Sequence, residues 1–192
     1  MNHLIEKRLV CRYRPLLVLP KGSTYFFDFE CGEGWVDLLE GTLRLIERYA
    51  EEEKLNVRIF RVKETFGLLR IVQQGGDEMV DLIVEVTELV SGCICEICGR
   101  EGNGWLQTRC DSHSTEDVSP TCGQIAENEQ YIMNYAGTLG LILWFFKTDS
   151  VRWVQQKNRA LGGRRPVDAM VTTEGCQAVY KLLKRLEYGV GV

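Results

Sequence analysis

The chain has few histidines, no long apolar run and no large excess of charge of either sign. Its 192 residues include only two histidines and carry a formal net charge of −4, with acids and bases interleaved along the chain. It therefore lacks the basic face that a phosphate-binding surface normally requires. The longest apolar run, Leu139 to Phe146, is well short of the roughly 20 residues needed to span a bilayer. We expect neither nucleic acid nor a membrane as a partner.

Motifs of common catalytic sites are also absent. The sequence has no glycine-rich phosphate loop, no GxSxG nucleophile turn and no HExxH helix. His3 lies near the N-terminus and His113 lies at the spacing of a metal ligand, so no histidine remains as an evident general base. We therefore predict no catalytic residue and a protein that is not an enzyme.

The cysteines are expected to be reduced or metal-bound. No export signal is evident, because the only apolar stretch near the N-terminus, Pro15 to Pro20, is short and bounded by prolines. We therefore expect a cytoplasmic protein, and disulfides are rare in that compartment. If three of the eight cysteines bind a metal, an odd number remains, which cannot all pair within one chain. We predict free thiols, mostly packed as small apolar groups, at Cys11, Cys31, Cys93, Cys122 and Cys176.

A CxxC pair and a CxxH pair have the spacing of a metal site. The four residues are Cys95, Cys98, Cys110 and His113. Two residues between ligands allow a tight turn to aim both side chains at one tetrahedral centre, and four protein ligands leave no open position for catalysis. We predict one structural zinc ion, with Cys93 and Cys122 as alternative ligands. The competing interpretation is a set of unrelated buried thiols and a surface histidine.

Apolar patterning predicts both helices and strands in the first half of the chain. The segment up to about Asp28 indicates a lead-in strand or loop. Apolar residues repeat with a helical period from Trp35 to Glu53, which predicts a helix with one buried face. Alternation over Val57 to Val62 and Leu68 to Gln73 predicts two strands, joined around Lys63 to Gly67.

The remaining pattern is helical. Asp77 is a candidate N-cap for a helix that ends at Ser91-Gly92, and Thr172 or Thr173 is a candidate cap for the last helix. Cys176, Val179, Tyr180, Leu183 and Leu186 lie on one face of that last helix. In the second half of the chain we predict helices over about 125–146, 150–156, 166–170 and 173–187, with a turn at 161–163.

These patterns together predict an α+β fold with two domains. A small N-terminal α/β zinc-binding domain covers residues 1–115, and an all-α domain covers residues 125–192. The segment 116–124 is predicted to be a linker, because the chain around it is rich in serine, threonine, aspartate and glycine and has no apolar periodicity.

Two stretches resemble known domains. Residues 31–113 carry a Gly34-Trp35 helix start, the segment Val62-Lys63-Glu64-Thr65-Phe66-Gly67-Leu68-Leu69-Arg70, and the closing CxxC and CxxH pairs with Trp105 between them. This stretch resembles an uncharacterised zinc domain of bacterial and phage proteins. The resemblance supports a zinc site and implies no activity.

The second resemblance covers about residues 140–190. It rests on Trp153, on Asn158-Arg159-Ala160-Leu161-Gly162-Gly163-Arg164-Arg165-Pro166-Val167-Asp168, on Glu174-Gly175, and on Arg185-Leu186-Glu187-Tyr188-Gly189-Val190. This stretch is similar to the toxin-binding domain of Xre/MbcA/ParS antitoxins. Typical relatives carry an N-terminal helix-turn-helix that binds an operator. The zinc domain takes that place here, so this resemblance does not imply autoregulation by DNA binding. A zinc-dependent DNA-binding regulator stays open as a weaker alternative, which tight and salt-sensitive binding to its own promoter would support.

The second resemblance implies a function in binding a protein. Its family binds RES-type toxins, which consume NAD, and the antitoxin's C-terminal end often helps to block the toxin's active site. The resemblance thus implies an antitoxin-like protein that neutralises such a toxin by binding it directly and covering its surface. The alternative is a phage or mobile-element protein that inhibits a host defence complex with the same helical scaffold. The sequence also leaves open whether the chain forms a homodimer.

The resemblance also suggests a contact surface. We expect it on Glu174 to Glu187 and on the tail Tyr188 to Val192. The candidate partner-binding residues are Arg164, Arg165, Lys181, Lys184, Arg185 and Tyr188. For the two adjacent arginines an alternative is open, since they could bond local carbonyls or Asp168 and only hold the turn. Trp153, Leu161 and Tyr188 are expected in the core more than in a contact.

Overall fold

The structure is a computed structural model that describes residues 1–22, 27, 29–104, 106–114 and 128–187. These residues form seven α-helices and two β-strands. The elements are α1 (His3–Arg12), α2 (Val36–Glu53), β1 (Arg58–Thr65), β2 (Leu68–Gln74), α3 (Glu78–Ser91), α4 (Glu129–Phe146), α5 (Ser150–Val154), α6 (Pro166–Ala169) and α7 (Thr173–Glu187). The mixture of helices with a two-stranded antiparallel sheet confirms the predicted α+β fold.

The N-terminal segment begins with a helix, so the prediction of a strand or loop was wrong there. The side chain of Asn2 caps α1 by accepting a hydrogen bond from the backbone N–H of Leu4. Arg8 and Arg12, one turn apart, both donate to the carboxylate of Glu40, which is fully buried on α2. Leu9 and Val10, on another side of α1, are fully buried in the core.

The helix predicted over 35–53 is confirmed as α2, which is preceded by a short 3-10 turn, Glu33–Trp35. The two predicted strands are also confirmed as an antiparallel hairpin. The connection is shorter than predicted, because the strands stay paired to Thr65 and Leu68. Phe66 and Gly67 form the turn, both with positive φ (53° and 73°), as the type I′ hairpin turn requires.

Asp77 caps α3 as predicted. Its side chain accepts hydrogen bonds from the backbone N–H groups of Met79 and Val80. One face of α3 is buried against β2 and α2. The helix ends at Ser91, and the chain then enters the segment that carries the Cys and His pairs.

The second half of the described chain is helical, as predicted. Of the predicted helix 125–146, residues 125–127 lie outside the described residues, and α4 begins at Glu129. The hydroxyl of Thr172 accepts from the backbone N–H of Gly175 at the start of α7. On α7 the buried residues are Cys176, Val179, Leu182 and Leu183, whereas Tyr180 and Leu186 are exposed, contrary to the predicted face.

The buried apolar residues of both halves form one connected cluster. Helix α4 packs against α2 on one side and α7 on the other, which joins the two halves. The division into residues 1–115 and 125–192 stays a prediction, and the predicted linker 116–124 lies outside the described residues. None of the helices in the described ranges has both the length and the apolar character that crossing a membrane requires.

Candidate functional site

The four predicted metal ligands lie together. The ligand atoms of Cys95, Cys98, Cys110 and His113 are all within 4.8 Å of one another. The His113 Nδ1 atom lies 3.4 Å from the Cys95 sulfur and 3.2 Å from the Cys110 sulfur, and the Cys98 and Cys110 sulfurs are 3.7 Å apart. The four side chains therefore lie together, and His113 is buried and not at the surface as the competing interpretation had it.

These distances suit one tetrahedral ion. With sulfur at about 2.3 Å and imidazole nitrogen at about 2.1 Å from the metal, neighbouring ligand atoms are separated by roughly 3.5–3.8 Å. The three shortest of these contacts, at 3.2–3.7 Å, are close to that range, and all six separations are within 4.8 Å. The cluster could therefore hold a single metal ion with four protein ligands.

Tight turns of the chain aim the ligands at each other. The Cys95 carbonyl accepts from the backbone N–H of Gly99 at 2.9 Å, and Gly99 has a φ of 74°, a conformation that favours glycine. The second pair lies on a 3-10 turn, in which the His113 N–H donates to the Cys110 carbonyl at 2.8 Å. Two intervening residues in each pair thus place both ligands on one side of a turn.

Gly34 and Trp35 hold the turn of the first ligand pair in place through hydrogen bonds. The indole N–H of Trp35, which is fully buried, donates to the Ile94 carbonyl at 2.8 Å. The backbone N–H of Gly34 donates to the Glu96 carbonyl at 2.8 Å. A Cβ atom at Gly34 would lie 2.1 Å from the Cys95 carbonyl oxygen, so this close approach requires glycine.

The thiols of the cluster influence each other's ionisation. Burial raises the pKa of Cys98, but hydrogen bonds with Arg100, Cys110 and Cys95 together outweigh it and leave that pKa below its ordinary value. Burial and the neighbouring Cys98 and Cys95 raise the pKa of Cys110. Crowded thiols resist simultaneous ionisation, and a bound cation would remove that penalty.

The other described cysteines lie outside the cluster. Cys93 donates to the Asp168 carboxylate at 3.6 Å, and burial together with that carboxylate raises its pKa to about 11. Cys31 and Cys176 are buried thiols whose pKa burial raises to about 12, as expected for small packed groups. Cys11 is exposed, and Cys122 lies outside the described residues.

The glycine-arginine turn after α5 is held by local bonds. The side chain of Asn158 accepts from the Ala160 N–H at 2.8 Å, and the Asn158 backbone N–H donates to the Arg164 carbonyl at 3.0 Å. Gly162 and Gly163 have φ values of 67° and 80°. These positive φ values turn the chain back toward α6, as the two glycines predicted.

Both arginines of this turn bond groups of the chain itself. Arg165 donates two hydrogen bonds to the Asp168 carboxylate, at 2.7 and 2.5 Å, and they lower the pKa of Asp168. Arg164 donates to the Asp168 carbonyl at 2.7 Å and to the Glu101 carboxylate at 3.3 Å. Both arginines therefore make the local bonds to Asp168 that the alternative interpretation described. A role of either arginine in partner binding stays a prediction.

The cationic candidates on α7 are at the surface. Lys181 and Arg185 are exposed, and Lys184 bonds Glu187 at 2.7 Å. Tyr188 lies outside the described residues, as does the rest of the predicted tail to Val192. Of the residues expected in the core, Trp153 stacks on Phe146 with ring centroids 4.4 Å apart, and Leu161 packs on the core as a partly buried residue.

The Glu101–Arg164 and Cys93–Asp168 contacts were not predicted. They join the segment that carries the four predicted ligands to the glycine-arginine turn. Cys93, Glu101 and Asp168 also line a cleft of about 810 Å³. The partners are 63 and 75 positions apart in the chain. No local pattern marks such pairs, because only the packing of α3 against α6 brings them together.

One comparison with known proteins gives a match. Residues 142–189, about a quarter of the chain, match the family described as the antitoxin Xre/MbcA/ParS C-terminal toxin-binding domain. No curated protein and no solved structure matches the chain significantly. The resemblance of residues 31–113 to a bacterial and phage zinc domain stays a prediction. The segment from the end of α4 through α7 is therefore similar to an antitoxin domain, which supports a toxin-binding role in general terms.

Proposed function

We propose that this chain is an antitoxin-like protein that neutralises a partner toxin by covering part of its surface. The family match over residues 142–189 is the observation that carries this proposal. The resemblance found in the sequence extends it to a RES-type, NAD-consuming toxin as the partner. A binding function also agrees with a segment whose turn is held rigid by its own hydrogen bonds, since a preorganised surface loses less entropy on binding.

We infer that α7 contributes the main contact. Lys181 and Arg185 are exposed on it and form no ion pair with any residue in the described ranges. Exposed cations of this kind would steer the chain toward an acidic patch on a toxin and fix its orientation there. The proposed contact surface therefore consists of Lys181, Lys184 and Arg185, with Arg164 and Tyr188 as further candidates.

We infer that the metal is Zn²⁺ and that its role is structural. Three thiolates and one imidazole are ligands that zinc prefers, and together they complete a tetrahedron. No coordination position is then left for water or a substrate. The ion would supply folding energy to a segment that is short of apolar residues.

Co-expression with a RES-type toxin tests the proposed function. We expect the chain to co-purify with the toxin and to restore growth of cells that the toxin alone kills. Lys181→Glu combined with Arg185→Glu should weaken binding by roughly tenfold or more, because both charges would then repel an acidic patch. The matched control is Lys21→Glu combined with Lys63→Glu, which changes the charge equally on the N-terminal half.

Three outcomes would count against these proposals. Full binding by the Lys181/Arg185 variant would exclude α7 as the contact. A wild-type chain that neither binds nor protects would overturn the antitoxin function. If the chain instead lets a phage grow in cells that carry a host defence complex, and protects cells from no toxin, the alternative of an anti-defence protein would be favoured.

A further inference from the structure

The first ligand pair belongs to a small hairpin, residues 93–102, which we call the ligand hairpin. Two backbone hydrogen bonds close it. The Cys95 N–H donates to the Arg100 carbonyl at 2.7 Å, and the Gly102 N–H donates to the Cys93 carbonyl at 2.9 Å. Both metal ligands of the hairpin lie in the part that the first bond closes, and Cys93 lies at the open end. A metal ion that holds the closed part therefore also fixes the open end.

The open end of the ligand hairpin contacts the glycine-arginine turn. The Glu101 carboxylate accepts a hydrogen bond from Arg164 at 3.3 Å, and the Cys93 thiol donates to the Asp168 carboxylate at 3.6 Å. Asp168 lies on α6, and α6 packs against α7. Two side-chain contacts thus connect the metal-binding segment to the segment that is similar to a toxin-binding domain.

Two cavities are lined by residues of both segments. One, of about 400 Å³, is lined by Cys98 of the ligand hairpin and by Thr172 and Thr173 at the start of α7. The cleft of about 810 Å³ is lined by Cys110 of the second ligand pair and by Arg165 of the glycine-arginine turn. Both ligand pairs therefore border the antitoxin-like segment, and a segment that borders cavities has room to shift.

The ligand segment has little besides a metal to hold it in place. Among its described residues, 93–104 and 106–114, the buried apolar side chains are those of Ile94 and Cys95, and Cys95 is itself a candidate ligand. A segment of this kind is ordered when its metal binds and loosens when the metal leaves. The contacts of Glu101 and Cys93 are therefore fixed in one state and released in the other.

We propose that a metal ion at the Cys/His cluster and a toxin at the antitoxin-like segment bind cooperatively, through the contacts of Glu101 and Cys93 with the glycine-arginine turn. The proposal rests on the proposed antitoxin function. Metal binding fixes the turn and α6, against which α7 packs, so the contact surface is preorganised for the toxin. Linkage makes the effect reciprocal, and the toxin tightens metal binding by the same factor. Since both contacts are partly exposed to solvent, this factor should be roughly three- to tenfold.

Competition between the chain and a chelator for Zn²⁺ measures the coupling. In the wild type, the RES-type toxin of the co-expression experiment should tighten Zn²⁺ binding by roughly three- to tenfold. Glu101→Ala combined with Cys93→Ala should still bind Zn²⁺, but with an affinity that the toxin no longer changes. Arg164→Ala breaks the same ion pair from the other side, leaves the ligand hairpin unaltered, and should also reduce the factor. The matched control is Glu30→Ala, which removes a partly exposed ion pair with Arg61 and should keep the wild-type factor.

Hydrogen exchange of the free chain measures the same coupling without a toxin. The backbone amides of α2 report global unfolding, and those of residues 158–168 report opening of the glycine-arginine turn and α6. Relative to α2, Zn²⁺ should slow exchange over 158–168 in the wild type. In the variant that lacks both Glu101 and Cys93, Zn²⁺ should slow it less.

The outcomes separate this proposal from the antitoxin function. Tight toxin binding that leaves the Zn²⁺ affinity of the wild type unchanged would overturn the coupling and leave the antitoxin function intact. Equal tightening in the wild type and in the Glu101/Cys93 variant would also overturn it, because the coupling would then pass through global folding. A wild-type chain that binds no toxin would overturn the antitoxin function and, with it, the cooperative binding. Hydrogen exchange would still show whether the metal orders the turn, and equal exchange in the wild type and the variant would exclude that as well.

Discussion

Asp168 is the residue on which the bonds of the glycine-arginine turn converge. Its carboxylate accepts two hydrogen bonds from Arg165 and one from the Cys93 thiol, and its carbonyl accepts one from Arg164. The hydrogen bonds from Arg165 are the largest cause of the lowered pKa of Asp168. The sequence placed Asp168 near the arginines, but the contact with Cys93 depends on the fold.

Replacing Asp168 with asparagine should reduce stability in a pH-dependent way. Arg165 is 43% exposed and Asp168 is 26% exposed, so solvent screening limits the loss to about 0.5–1 kcal/mol at neutral pH. The folded pKa of Asp168 lies below its unfolded value of about 3.9. The stabilisation is therefore complete above about pH 4 and is lost as the pH falls through the folded pKa.

Urea unfolding of the wild type and of Asp168→Asn, at a series of pH values, measures this effect. The difference in unfolding free energy between the two proteins should narrow in acid. A difference that stays constant down to the acid limit of folding would contradict the role of the ionised carboxylate.

At the scale of single elements, the β-hairpin has regularly alternating strands but an unfavourable residue, Phe66, in its turn. Alternating side chains predicted both strands; the second begins at Leu68 as predicted, and the first extends beyond Val62 to Thr65. Phe66 then has a φ of 53° although it is not glycine, and its side chain is 72% exposed. A bulky residue in this conformation is strained, and here it gains little burial in return.

Phe66→Asn should therefore stabilise the protein by about 0.5–1 kcal/mol. The change creates an Asn-Gly turn, the preferred sequence for a type I′ hairpin. A rise in the thermal unfolding midpoint would show it. Leu106→Asn replaces another exposed apolar residue, one without a positive φ, and should give no such rise. Equal effects of both changes would mean that surface polarity, and not the turn, is responsible.

At the scale of the whole molecule, the segment 93–114 with the metal ligands contacts three other parts of the chain. Its Ile94 carbonyl accepts from Trp35 at the start of α2, and its Thr108 hydroxyl donates to Gly67 in the hairpin turn at 2.6 Å. Its Glu101 bonds Arg164 in the glycine-arginine turn. A metal ion that fixes this segment would stabilise all three regions together.

Removal of the metal should destabilise the whole protein. Purified chain should contain about one zinc ion. Cys98→Ser, or treatment of the wild type with a chelator, should lower the unfolding free energy by about 2–5 kcal/mol. Metal content and thermal unfolding measure both effects. Cys11→Ser, at an exposed cysteine outside the cluster, should change neither. A chain that folds fully without metal would contradict the structural role.

Local chemistry explains why much of the fold was predictable. The helical periods of α2 and α7, the Asp77 cap and the strand alternation all depend on neighbours within a few residues. Helix α1 was not predicted, because its fixed partners are distant in the chain: Arg8 and Arg12 bond a carboxylate 28 to 32 positions away, and Leu9 and Val10 are buried in the shared core. The outer face of α7 was misjudged for a similar reason. Its period is local, but which of its apolar residues are buried depends on distant parts of the chain, and Tyr180 and Leu186 are exposed.

The sequence by itself determined the α+β composition, the four side chains of the Cys/His cluster and the glycine-arginine turn, because each depends on short spacings or on the backbone freedom of particular residues. Only the tertiary structure decided that α4 packs between α2 and α7, that Glu40 lies buried beneath two arginines, and that the segment 93–114 contacts Arg164 and Asp168. These contacts join residues far apart in the chain, and their partners are set by how whole helices pack.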